Sequence, residues 1–177
     1  MGASISPSQY DEDGDYYYIS MATVKKYFFD KDDAQKVSTS YSNENLNKKV
    51  QVNDIIMTRS GMAIGKFALI DEEIDGIYAD FTMRIRLQNF NNLLAYYYFR
   101  SDFFQHLITT HKKGLQNHNI FPSQIQEFPV PDWNEAKQTE IVEKIKSQID
   151  AQNSIDKQIE AKQNEINKII ETAIQTS

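Results

Sequence analysis

Three histidines, His106, His111 and His118, fall in one short window, and imidazoles are the residue type most often used as metal ligands or general bases. Their spacing matches no zinc motif and no carboxylate lies among them, so no metal site is expected, and no cofactor either. A hydrolytic enzyme built on these histidines is the reading that a metal assay would test. The same window holds Lys112-Lys113-Gly114 and then Gln116-Asn117-His118-Asn119. Lysines suit phosphate contact, and paired amides suit the N6 and N7 edge of adenine. The alternative is a capped helix end and a hairpin-like return, whose amides satisfy backbone groups. The two readings are compatible.

A second group lies at Asn53–Lys66, NDIIMTRSGMAIGK. Ile55, Ile56 and Met57 form an apolar run of strand composition, and Phe67 to Ile70 form another. Between them stand Arg59, Ser60 and Lys66, with Gly61 and Gly65 as two of only six glycines in the chain. Glycine permits positive φ or a close backbone approach, which predicts strand, tight connection, strand. Arg59 and Lys66 then offer positive charge to a guanine edge or a phosphate. Taken alone, an ordinary β-connection with two solvated basic residues fits as well. No P-loop, Ser/His/Asp pattern or Asn-Pro-Pro-Tyr-type methylase motif occurs, and with no cysteine there is no thiolate chemistry.

The elements that must position these residues follow from the patterning. Ser6 to Asp15 reads as an exposed acidic turn and Tyr16 to Ser20 as the first clear strand. Thr23 to Lys26 begins a turn or short helix, and Asp30 to Asn47 is a long polar loop by composition. Lys48 to Val52 alternates as a short strand. Met83, Ile85 and Leu87 alternate with Thr82, Arg84 and Arg86, a half-buried strand whose arginines are expected to pair with Asp71, Glu72, Glu73, Asp75 or Asp80. Asn91 or Asn92 caps a helix through Phe99, in which the tyrosines at helical spacing are core rather than a base-stacking platform. Ser101 or Asp102 caps the next helix, with Phe103, Phe104, Leu107 and Ile108 burying one side.

Phe128-Pro129-Val130-Pro131 excludes helix, since proline disfavours the α region in its predecessor. Asn134 is then a good N-cap, and neither glycine nor proline interrupts the chain from there to Ala173. Such a helix makes a rod of about 60 Å at 1.5 Å per residue. Ile141, Ile145, Ile155, Ile159, Ile166 and Ile169 fall on one heptad seam, with Gln148, Gln152 and Lys162 as polar interruptions. Polar seam positions specify register or partner at some loss of stability, so the stripe predicts a coiled coil.

The 177 residues suffice for one core plus an appendage, giving two segments, 1–131 and 132–177. Net charge is −6, which weighs against a nucleic-acid binder. The acid is uneven: residues 1–33 carry −4, residues 34–133 balance, and residues 134–177 carry −2, which leaves room for a local positive surface. No apolar run is long enough to span a bilayer and the start lacks a signal-peptide pattern, so a cytoplasmic protein without membrane association is expected.

Taken in order, Asp54-Ile-Ile-Met-Thr-Arg-Ser-Gly61, Ile64-Gly-Lys66, Gly76-Ile-Tyr-Ala79, Arg84-Ile-Arg-Leu87, Tyr96 to Gln105, Gln116-Asn-His-Asn-Ile120 and the Pro129-Val-Pro131 lead into a long helix resemble the specificity subunits of type I restriction–modification systems. The resemblance covers roughly residues 6 to 175 and looks like half a subunit: one target-recognition domain and one spacer helix. It implies an α+β fold, with a β-rich recognition domain carrying short helices ahead of the coiled-coil helix. Family members usually carry another strand before Tyr16, which suggests a short natural form or a trimmed chain. The implied function is non-catalytic: directing an adenine DNA methyltransferase (the modification subunit), with or without a restriction subunit, to its site on double-stranded DNA. Arg59, Ser60, Lys66, Lys112, Lys113, Gln116, Asn117 and His118 are the implied DNA contacts, and the isoleucine seam implies a homodimer. The rival reading is a coiled-coil protein-interaction adaptor that binds no DNA, which the acidic pI favours and the two basic loops oppose.

Overall fold

The computed structural model describes residues 1–26, 28–113 and 119–175. The chain forms two compact units, Met1–Asp132 and Trp133–Ser177. The first holds two three-stranded sheets. One has the order β2-β1-β5, with β1 at Tyr16–Ile19, β2 at Lys36–Val37 and β5 at Gly76–Tyr78; β1 pairs antiparallel with β2 and parallel with β5. The other has the order β4-β3-β6, with β3 at Ile55–Thr58, β4 at Phe67–Leu69 and β6 at Thr82–Ile85, all antiparallel.

Period-2 side-chain alternation sorts the strand residues into three apolar clusters. Ile19, Tyr78, Ile56, Ala68 and Ile70 belong to one cluster shared by the two sheets. Tyr18 and Ile77 face the other way, onto Ala3, Val37 and Tyr41. Ile55, Met57, Phe67, Met83 and Ile85 meet two helices, α2 (Asn92–Arg100) and α3 (Asp102–Lys113), through Ala95, Tyr96, Phe99, Phe104 and Ile108. All four residues of β3 are buried as a result. The α+β class and the strands expected at Tyr16, Ile55, Phe67 and Met83 are present. So are both helix starts: Asn91 accepts from the Leu94 amide at 3.1 Å and Ser101 from the Phe104 amide at 3.3 Å. Tyr96 is buried, and Tyr97 and Tyr98 pack against the same core.

Four expectations are corrected. The polar stretch 30–47 is not a loop throughout: it contains β2, helix α1 (Thr39–Glu44) and the start of a 3-10 turn, Leu46–Lys48. Ser38 caps α1, while Val37 and Tyr41 supply two buried anchors that a composition count does not register. Burial pushes the Tyr18 hydroxyl up to about 12 and the Tyr41 hydroxyl upward too. Those hydroxyls hold the chain start by donating to Ala3 O at 2.7 Å and Ser4 O at 3.0 Å. No strand covers 48–52, where Lys49 makes only an isolated bridge to Ile77 before Asn53, at φ 71°, turns the chain into β3. Phe103 is 60% exposed, because Phe104 and Ile108 already fill the face of α3 that meets the core.

Arg84 and Arg86 do pair with acid, but with Asp54 rather than with the acids nearer in sequence. Lys31, Lys49 and Arg59 engage Glu72, Asp75 and Asp80. Asp54 is only 2% exposed and sits just before β3; its carboxylate accepts from Arg86 Nε at 2.6 Å and the Gln51 amide at 2.9 Å, with Arg84 Nη1 at 3.6 Å.

The first unit also contains a short helix, α4 (Pro122–Ile125); in the second unit, helix α5 runs Glu135–Gln175, slightly past the expected end, with Asn134 accepting from the Lys137 amide at 2.9 Å. Ile141 and Ile145 are half-buried, whereas Ile155, Ile159, Ile166 and Ile169 are exposed.

Removing one member of a buried ion cluster leaves the others uncompensated. Asp54→Ala is expected to destabilise the first unit by about 2–3 kcal/mol, discounted because Arg86 reaches solvent. A urea midpoint close to that of the wild type would show that Asp54 does not hold β6 to the start of β3.

Candidate nucleic-acid interface

The connection between β3 and β4 is a braced surface tip. Gly61–Ala63 form a 3-10 turn, with Gly61 at φ 60° and Gly65 at φ 88°. The Thr58 hydroxyl donates to Ala63 O, and the Gly65 amide donates to Thr58 O at 3.2 Å. Gly65 has a second reason to lack a side chain. A Cβ there would stand 2.7 Å from Ile108 Cγ2 of α3, too close for any other residue. Without that obstruction α3 lies directly on the connection, and Gln105 Nε2 donates to Gly65 O at 3.1 Å. One helical turn beyond Ile108, Lys112 Nζ reaches Met62 O at 3.2 Å.

The chain returns to the same place after α3. Ser60 and Asn119 form an isolated antiparallel bridge, their side chains are hydrogen bonded, and the Ile120 amide donates to Arg59 O at 2.8 Å. Two basic segments about fifty residues apart are thereby joined: Arg59, Ser60 and Lys66 from one, Lys112 and Asn119 from the other. Lys112 and Lys66, both half-buried, have no carboxylate partner among the described residues. His106 is exposed. No group of three or more His, Asp or Glu able to hold a metal occurs among the described residues.

Arg59 is placed differently from the other cations. It is 7% exposed, its Nε donates to Asp80 O at 2.9 Å, and Nη2 lies 3.5 Å from Asp80 Oδ1. Its guanidinium sits about equally far from the Phe81 and Phe121 rings, 6.0 and 5.8 Å from their centroids. In this arrangement Arg59 braces the connection from beneath. Gln116, Asn117 and His118 lie outside the described residues, as does the side chain of Lys113. Sequence reasoning counted Asn119 among the amides and Asp80 among the acids near Arg84 and Arg86, but paired neither with its actual partner, Ser60 or Arg59, because each partner is distant in the chain.

This fold agrees with the comparisons. The family described as the type I restriction modification DNA specificity domain matches residues 1–168. The chain belongs to this family. None of the curated proteins matches the sequence. Among solved structures, a chain from one described as the structural basis of complex assembly and conformational transition of the type I R-M system is similar in fold. It has a TM-score of 0.56 at 15% identity over 78% of this chain. The specificity domain spans 37% of that chain's length.

Neither Lys66 nor Lys112 has a carboxylate partner among the described residues, so reversing their charge breaks no ion pair, although Lys112→Glu also removes the hydrogen bond to Met62 O. Lys66→Glu and Lys112→Glu are each expected to weaken binding about equally on all duplexes and to lower the salt slope by about one, with the melting temperature unchanged in Lys66→Glu. Undiminished affinity in the double variant would place the DNA face elsewhere.

Proposed function

We propose that this specificity domain reads a defined sequence in double-stranded DNA and brings an adenine DNA methyltransferase to it, with or without a restriction subunit, in the cytoplasm. The observation that carries this reading is the family match across residues 1–168, which takes in the β-rich unit and most of α5. The braced basic tip supports it. Lys66, Lys112 and Lys113 contact the backbone, the buried Arg59 and Ser60 position them, and Gln116, Asn117 and His118 reach base edges. Recognition is this chain's contribution, and methyl transfer belongs to the modification subunit. Residues 1–131 act as the recognition domain and residues 132–177 as the docking and dimerisation helix.

Comparing adenine methylation across the genomes of cells with and without the gene tests the reading. One methylated motif should disappear with the gene, and an unchanged methylome would overturn it.

The exposed seam of α5 gives this function a geometry. Ile155, Ile159, Ile166 and Ile169 present a stripe that a second copy of the helix buries, so two half-subunits together present two recognition domains. Ile155→Asp with Ile166→Asp should yield a monomer in light scattering while the first unit keeps its melting transition. A wild-type chain that stays monomeric at high micromolar concentration excludes the homodimer.

A further inference from the structure

Met62 is 94% exposed, more than any other large apolar side chain among the described residues. It stands at the apex of the β3–β4 connection, and its neighbour Gly61 meets nothing within 4 Å of where a Cβ would be, so the apex projects into open space. Loop tips of this kind are ordinarily small or polar. The backbone beneath it is fixed from both sides: the Ile64 amide donates to Gly61 O at 3.4 Å, the Lys66 amide to Ala63 O at 3.1 Å, and Lys112 Nζ to Met62 O itself. The outcome is an apolar, unbranched side chain on a braced tip, with the cations of Lys66 and Lys112 on the same connection and the helix that meets it.

We infer that Met62 is a wedge that enters one base step of the bound duplex, while the lysines hold the flanking phosphates. The inference rests on the DNA-reading function proposed above and adds a mode of contact to it. Proteins that deform DNA insert Met, Leu, Ile or Phe between base pairs, partly unstacking them, and gain further backbone contact from the resulting kink. Methionine suits the task because its flexible thioether conforms to an irregular slot. A protein partner fits the tip less well. One apolar side chain among cations falls far short of the roughly 800 Å² that each side of a stable protein interface buries.

The full-length chain, at low salt, is first used to select bound duplexes from a random pool. 2-Aminopurine is then placed at successive positions of the selected site. The wild type should raise fluorescence at one step. Met62→Ala should lose that rise and bind roughly tenfold more weakly, the scale set by burying such a side chain. Met62→Leu should retain both, and all three proteins should melt alike. A Met62→Ala protein with full affinity and the same fluorescence rise overturns the inference. A wild type that selects a site but unstacks no step overturns the wedge and leaves DNA reading intact. A lower melting temperature that accounts for the lost binding of Met62→Ala makes Met62 structural and equally overturns the wedge. If the wild type binds no duplex at all, both readings fall.

Discussion

The double-sided burial of β3 is the constraint on which the first unit depends. Ile55 and Met57 lie in the cluster beneath α2 and α3, and Ile56 lies in the cluster shared by the two sheets. Each such side chain contributes about 1.5–3 kcal/mol by leaving water, and a strand covered on both faces admits no change of register without exposing several of them. Because β3 is fixed, its ends are fixed too. At the start, the Asp54 carboxylate ties Arg84 and Arg86 to the head of the strand. Just past the end, the buried Arg59 is held by Asp80. The turn that follows has nowhere to go but the surface, and there it carries Met62 and Lys66.

Local charge, not net charge, is what this arrangement exploits. Of the basic residues in the β-rich unit, Lys25, Lys31 and Lys49 pair with carboxylates, as do Arg59, Arg84 and Arg86. Lys36, Lys48, Lys66 and Lys112 do not among the described residues, and of these Lys66 lies on the connection itself while Lys112 reaches its tip at Met62 O. A chain of net charge −6 can therefore present a positive surface over a small area. Screening confines the repulsion of distant acids to about a Debye length of 8 Å at physiological salt.

Helix α5 obeys a different constraint. It fills no core of its own along Ile155 to Ile169, and a single helix cannot remove that stripe from water. Besides the burial of Gln138 and Val142 near its start, local terms add to its stability. Asn134 caps it, and Glu140 bonds to both Lys137 and Lys144, which holds its carboxyl down at about 2. Local terms do not satisfy its seam.

Wherever a residue's structural state follows from its immediate neighbours, the sequence alone determined it. The Asn91 and Ser101 caps, the proline stop at Pro129 and Pro131, and the uninterrupted α5 depend on contacts within a few residues, and the two apolar runs around Gly61 and Gly65 announce their strands by composition. The motif order around them likewise sufficed for the family. Tertiary structure decided what depends on partners far along the chain. Polar composition concealed α1, since its anchors Val37 and Tyr41 matter only once the first sheet exists to receive them. Arg84 and Arg86 chose Asp54, some thirty residues away, over nearer acids, because strand pairing sets Arg84 opposite Ile56 and so carries both arginines to the head of β3. Arg59 reads as an exposed cation until Asp80, Phe81 and Phe121 are folded over it. The meeting of Lys112 with the Met62 carbonyl requires Gly65 to let α3 approach, a condition of packing that no local pattern encodes.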